Sequence, residues 1–396
     1  MIKTITPLFI FFTVFTFSQN QFEKGVIIDS IPVGNNEGET FALYLPNSFN
    51  QKNISSAIYV FDPSGKGRNG LKPFIKASEK YGYIIFCSNN SKNGPYEKNF
   101  KIFNNLFSHT TSVFKIRNNS IYLSGFSGGS RLACAIATLT EQFTGVIACG
   151  AGFPQVPEYM PSTQSYDYVG ICGNRDFNYS EMIENKIFLN QAKFNHTLIT
   201  NNSKHKWPNE NEILKAFNWL NLQKQKKQAS IKDKEQILNL YLNDFNEILK
   251  NEENNELIFA SENYERLLDN YSSFITIDSI QKKFDKLKQS GAYLEQTKQL
   301  SEIFMRETTL NHKLLTRFDE DLKKPNNKRL AWWRKQLNKL DLIEKSSNLA
   351  IKNMIFRTKF KVFATVYSVK KLYSKDKNQL QLDYITALLK LFNNVT

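Results

Sequence analysis

Gly125-Phe126-Ser127-Gly128-Gly129 has the spacing of a serine nucleophile held on a sharp turn, with small residues two before and two after it. The apolar run Ser120-Ile121-Tyr122-Leu123-Ser124 precedes it, and the Ala-rich stretch Ser130-Arg131-Leu132-Ala133-Cys134-Ala135-Ile136-Ala137 follows. The turn should therefore join a strand to a helix, where the backbone folds tightly and only small residues fit. Five letters alone are a weak signal, since Gly and Ser are common in turns; the strand and helix on either side give them force. The chemistry implied is covalent, with Ser127 attacking an acyl carbonyl. The free N–H groups and positive dipole end of the helix favour the developing oxyanion. Gly128 N–H is the first expected oxyanion donor. The second is expected from Phe61-Asp62-Pro63-Ser64-Gly65-Lys66-Gly67, the loop after an earlier strand, with Ser64 or Gly65 supplying it.

A serine needs a base, and the chain offers four histidines. His109 falls in the helix before the elbow strand, His196 begins the last strand, and His312 lies in a later helical stretch. His205, in Ser203-Lys204-His205-Lys206-Trp207-Pro208, follows the last strand, where a loop brings an imidazole over the C-terminal edge of a sheet. The base in turn needs a carboxylate to orient it. Asp176 fits, in the turn Gly173-Asn174-Arg175-Asp176 after the strand Tyr168-Val169-Gly170-Ile171-Cys172. Asp167 sits at the wrong end of that strand, and Glu181, further into the next helix, is the reserve. The competing role for Asp176 is simple N-capping of that helix. The order Ser127, Asp176, His205 is the one used by strand–elbow–helix hydrolases.

These residues need a sheet to carry them. Short β-type runs alternate with helical patterns, the signature of βαβ units and a mostly parallel sheet. Residues 25–31 and 39–45 read as an antiparallel opening pair; residues 56–61, 83–88, 120–124, 145–149, 168–172 and 195–200 follow as strands. The block closes with a helix over 211–222. Residues 223–230, Gln-Lys-Gln-Lys-Lys-Gln-Ala-Ser, are polar and aperiodic and mark a boundary. Beyond it apolar residues recur at helical spacing, as in Leu238, Tyr241, Leu242, Phe245, Ile248 and Leu249, without a clean repeat. Trp332 and Trp333 read as core. The expected organisation is a leader over 1–18, an α/β catalytic domain over 19–225 and an all-α domain over 226–396.

The residues from 23 to about 222 resemble the α/β-hydrolase superfamily, in its exported branch of polyhydroxybutyrate depolymerases, feruloyl esterases and prolyl-oligopeptidase-type enzymes. Leu43-Tyr44-Leu45-Pro46, Gly125 to Gly129, Gly173 to Asp176 and His205-Lys206-Trp207-Pro208 carry the resemblance. It implies an esterase, or a peptidase with the same machinery. The chain departs from it twice. Asp62-Pro63-Ser64-Gly65 stands where many relatives have His-Gly, and Ser203-Lys204 where many have Gly-Gly. Only a short Pro-containing loop lies between Gly152 and Ser165, so a cleft is either open or covered by the C-terminal domain.

Composition sets the remaining bounds. Lys3, the apolar run Pro7 to Phe17 and the small residues at Thr16-Phe17-Ser18 form an export leader, with cleavage expected before Gln19 and a secreted or periplasmic product. The irregular spacing of Cys87, Cys134, Cys149 and Cys172 fits buried free thiols rather than a zinc site or disulfide framework. No cofactor or metal is implied. The net charge of +15 is uneven: residues 345–396 hold ten Lys and Arg against Asp376 and Asp383. That stretch is either a solvated helical face or a contact for an acidic surface, and nucleic acid is not an expected partner. The expected substrate is a small-molecule or glycan ester. A hydrolase fold working only as a binding module is the alternative from another class.

Overall fold

Residues 22–227, 234–346, 348–374 and 378–392 are described by the structure, a computed structural model; the leader expected over 1–18 lies outside them. Val, Ile, Phe and Tyr concentrate in short runs bounded by turn residues, and these runs form one eight-stranded sheet. Along the chain come β1 (Ile27–Pro32), β2 (Thr40–Tyr44), β3 (Ser55–Phe61), α1 (Gly67–Leu71), α2 (Ile75–Tyr81), β4 (Tyr83–Ser88), α3 (Tyr96–Val113) and β5 (Ile116–Phe126). Then follow α4 (Gly128–Thr140), β6 (Gly145–Cys149), β7 (Asp167–Arg175), α5 (Tyr179–Gln191), β8 (His196–Lys204) and α6 (Glu210–Lys226). The spatial order is β1-β2-β4-β3-β5-β6-β7-β8, antiparallel at β1/β2 and β2/β4 and parallel elsewhere. This is the α/β-hydrolase fold.

Because the parallel strands are covered on both faces, they read as continuous apolar runs; every residue of β4 is buried. On one face α3, α4 and α5 deliver Phe103, Leu106, Leu132, Ile136 and Leu189 to the core. On the other, α1, α2 and α6 deliver Leu71, Ala77, Ile213, Phe217 and Trp219. All four cysteines are free and buried.

Several boundaries differ from the sequence expectation: β5 already begins at Ile116 and runs to Phe126, against an expected 120–124. β7 continues through Gly173, Asn174 and Arg175, and β8 through Lys204, because the two strands keep pairing to Arg175↔Lys204 across a bulge. Residues 223–226, expected as part of a linker, belong to α6. Their polar character has a packing reason: buried Gln223 donates to Asn270 and Asp269 of the later helix Leu257–Tyr271.

The rest of the described chain is helical: α7 (Lys234–Glu253), α8 (Leu257–Tyr271), α9 (Asp278–Gln289), α10 (Gly291–Lys323), α11 (Leu330–Ser346), α12 (Leu349–Tyr373) and α13 (Gln379–Leu389). No strand occurs there among the described residues, and no described helix is long and apolar enough to cross a membrane. Two cores divide this half. One joins α7, α8 and α9 to Leu222 of α6, and the other gathers α10 to α13. Trp333 is fully buried in the second, whereas Trp332 only lies against it.

The halves are joined by polar and aromatic contacts as well as apolar ones. Arg357 of α12 pairs with Glu307 of α10, both almost fully buried, and donates from Nη1 to the Asn174 carbonyl of β7 at 2.6 Å. Thr200 of β8 donates to Glu262 of α8.

Candidate active site

Ser127 sits between β5 and α4 with φ 54° and ψ −119°, a conformation that costs an L-residue energy and persists only where the surroundings impose it. They do so here. Its N–H donates to the Cys149 carbonyl at 2.8 Å, and the turn is closed by two close backbone approaches. A Cβ on Gly125 would lie 2.3 Å from the Gly129 carbonyl carbon, and one on Gly129 would lie 2.0 Å from the Phe61 carbonyl oxygen. Steric necessity therefore explains both outer glycines of the motif.

The structure brings the three singled-out side chains into one hydrogen-bonded line. Ser127 Oγ is 3.0 Å from His205 Nε2, and His205 Nδ1 is 2.7 Å from Asp176 Oδ2. A carboxylate can only accept, so Nδ1 is the protonated nitrogen and Nε2 is left to accept from the serine hydroxyl. Asp176 is 1% exposed, and its other oxygen accepts from Asn178 N–H at 2.9 Å. It thus organises the turn before α5 and binds the imidazole as well. Phe126 and Phe177 pack on the His205 ring, with centroids 4.6 and 4.5 Å away. Phe360 of α12 stacks on Phe177 and reaches within 6.1 Å of the imidazole, so the helical half covers this end of the cleft.

The other candidates are placed elsewhere. Glu181 binds Arg131 at 2.6 Å and accepts from Gly152 N–H, a brace between α5 and α4. Asp167 lies at the far end of β7 with Lys227 and Asn195. His196 bonds the Phe194 carbonyl and His109 packs on Phe41; burial lowers the pKa of each. His312 is in α10. Burial pushes all four thiols up, so none is a ready nucleophile.

The oxyanion loop needs correcting. Gly128 opens α4, where first-turn N–H groups lack carbonyl partners within the helix. Ser64 and Gly65, however, are not free to donate. Ser64 N–H is bound by Asp62 Oδ1 at 2.9 Å, and Gly65 N–H by the Asp62 carbonyl at 3.0 Å. Asp62 is buried and also accepts from Lys66 N–H and from Trp207 Nε1 at 3.1 Å. A carboxylate at position 62 thus turns the loop's donors inward.

Sequence reading missed Asn93. Its N–H donates to the Pro63 carbonyl at 2.9 Å, and its carboxamide stands over Gly128, where a Cβ would come within 1.9 Å of Oδ1 and 3.3 Å of Nδ2. No sequence signal marked it, because it lies on a loop between β4 and α3. A cavity of about 270 Å³ opens above Ser127, lined among others by Asn93, Tyr96, Asn99, Arg131 and Phe177.

No protein-family model and no curated protein matches the chain. Among solved structures it is similar to S-formylglutathione hydrolase (FrmB) from Staphylococcus aureus, at 12% identity over 46% of this chain and 90% of that one, TM-score 0.41. FphF, a fluorophosphonate-binding serine hydrolase of Staphylococcus aureus, aligns at 11% identity over 50% and 99%, TM-score 0.42. The feruloyl esterase module from Clostridium thermocellum aligns at 14% over 46% and 83%, TM-score 0.38.

Proposed function

We propose that this protein is an exported serine hydrolase that cleaves carboxylic esters through an acyl-enzyme on Ser127. The observation that carries the reading is the continuous Ser127–His205–Asp176 hydrogen-bonded line beside a strained elbow. His205 Nε2 takes the Ser127 proton as Oγ attacks the acyl carbon, and the imidazolium formed is held by Asp176. The oxyanion meets Gly128 N–H. With Ser64 and Gly65 engaged, the second donor is the Asn93 amide, turned so that Nδ2 faces the cavity. His205 then hands its proton to the leaving alkoxide. Water, deprotonated by the same nitrogen, attacks the acyl-enzyme and restores Ser127.

The Asn93 amide and the Tyr96 hydroxyl at the cavity suit a substrate rich in hydroxyls, such as an acylated glycan. Export rests on the leader motif and is checked by N-terminal sequencing of protein from the medium or periplasm. The deciding experiment is labelling by a fluorophosphonate, read together with hydrolysis of 4-nitrophenyl acetate and of aminoacyl 4-nitroanilides. Wild type is expected to be labelled and to cleave the ester, with Ser127→Ala doing neither. Equal labelling of the two proteins would defeat the reading, and anilide cleavage without ester cleavage would move the substrate class to peptides.

A further inference from the structure

A second cavity, of about 210 Å³, lies where the end of β7 meets α8, α10 and α12, and it shares no lining residue with the cavity over Ser127. Ile258, Phe259, Leu300, Ile303 and Leu349 make its walls apolar. One side is different. Asn174 Oδ1 is buried with no hydrogen-bond partner. Asn353, 7% exposed, and Tyr179, 3% exposed, line the cavity with a carboxamide and a hydroxyl that bond to nothing among the described residues.

Leaving a buried acceptor such as Asn174 Oδ1 unpaired costs about 1–3 kcal/mol, and with Asn353 and Tyr179 beside it on one wall of an otherwise apolar space this is the pattern of a site that lacks its ligand. Their inventory specifies the head group. Asn174 Oδ1 needs a donor, the Tyr179 hydroxyl can donate, and the Asn353 amide does both. Charge is already settled: Arg357 at the edge is matched by Glu307, and Glu256 adds a negative charge that disfavours an anion. A void of about 150 Å³ suffices for a benzene ring, so this one takes a body on the order of ten heavy atoms.

We propose that this cavity is a binding site for an uncharged amphiphile, with a carboxamide or hydroxyl head on Asn174, Tyr179 and Asn353 and an aliphatic or aromatic body between the helices. Its occupancy acts on the hydrolytic site through the turn from 174 to 179. Asn174 and Tyr179 face this cavity while Phe177 and Asn178 face the other, and Asp176 lies between them. The coupling rests on the esterase reading; the binding does not.

The test uses octanamide as probe, with octanoate as charged control, titrated by calorimetry into the full-length Ser127→Ala protein. Octanamide is expected to bind saturably and at least tenfold more tightly than octanoate. Asn353→Leu should weaken it at least tenfold while leaving the melting temperature of the unliganded protein equal or higher, because its side chain has no hydrogen bond to lose. Ala350→Phe, which fills the cavity, should abolish binding. Absence of saturable binding, equal affinity for octanoate, or affinity unchanged in Asn353→Leu overturns the site. In wild type, saturating octanamide should change kcat for 4-nitrophenyl acetate at least twofold, and an unchanged kcat overturns the coupling alone. A protein inactive on every ester would sink the hydrolase reading while the calorimetry still decides the site.

Discussion

Asp176 in the sheet half and Asp321 in the helical half are the most deeply buried aspartates of their halves among the described residues, and they are surrounded differently. Asp321 in the helical half is fully buried and caged: Arg329 donates to it at 2.8 Å, Trp333 Nε1 at 2.9 Å and Tyr384 Oη at 2.6 Å, with Arg317 ion-paired at 3.0 Å. Asp176 is as deeply buried but is held by one turn N–H and one imidazole, and that imidazole reaches a serine at the edge of a cavity. Burial alone therefore does not single out the carboxylate proposed to orient a base. What distinguishes it is a partner with a second bond to make.

Exchanging each aspartate for asparagine tests the contrast. Asp176→Asn should reduce kcat about 10⁴-fold with the fold intact, since the imidazole would be held in the wrong tautomer; a normal rate with a normal melting curve would place Asp176 among structural groups. Asp321→Asn should do the reverse. It should cost about 3–5 kcal/mol of stability in denaturant unfolding, because Arg317 and Arg329 lose their counter-charge, while the folded fraction keeps its kcat. Between these lies Asn93→Ala, expected to lower kcat about 10²-fold with little change in stability, as loss of one oxyanion donor does. Phe360→Ala should have a smaller effect, altering kcat/KM of the ester severalfold, and it measures directly what the helical half gives the cleft.

The smallest expected effect is in pH dependence, and it has opposite signs at two sites. At Asp321 burial raises the pKa, but the hydrogen bonds from Tyr384, Trp333 and Arg329 outweigh it and hold the group below its ordinary 3.8. A depressed carboxyl gives stability above its unfolded value and loses it as pH falls through the folded one, so the protein should weaken below about pH 4. At Glu262, burial between α8 and Thr200 raises the pKa above 4.5 despite Lys186. A raised carboxyl gives stability below its unfolded value and loses it as pH rises through the folded one. Thermal melts from pH 3 to 8 should show Asp321→Asn flattening the acid limb and Glu262→Gln flattening the other; a melting curve for Glu262→Gln parallel to wild type would refute the second assignment.

Where the candidate site depends on local geometry, the residue string was readable. Gly125, Ser127 and Gly129 are fixed by a turn that admits nothing larger, and Asp176 and His205 by the ends of consecutive strands, so strand order and spacing located all three partners. The extra length of β7 and β8 was not readable, because their last residues are polar and are kept in the sheet by each other. Nor was the role of residue 62: an aspartate after a strand reads as a turn former, and only the fold shows it taking the Ser64 N–H that the motif would have left open. Asn93 and Phe360 come from a loop and a helix with no chemical signature of their own. Their place in the cleft exists only once β4 has paired and α12 has docked.

That docking has a consequence in time. Ser127, Asp176 and His205 all leave the ribosome well before Phe360, so the chain that carries the line is made before the helix that covers the imidazole's outer face. The order of synthesis thus puts the three partners first and their aromatic cover last.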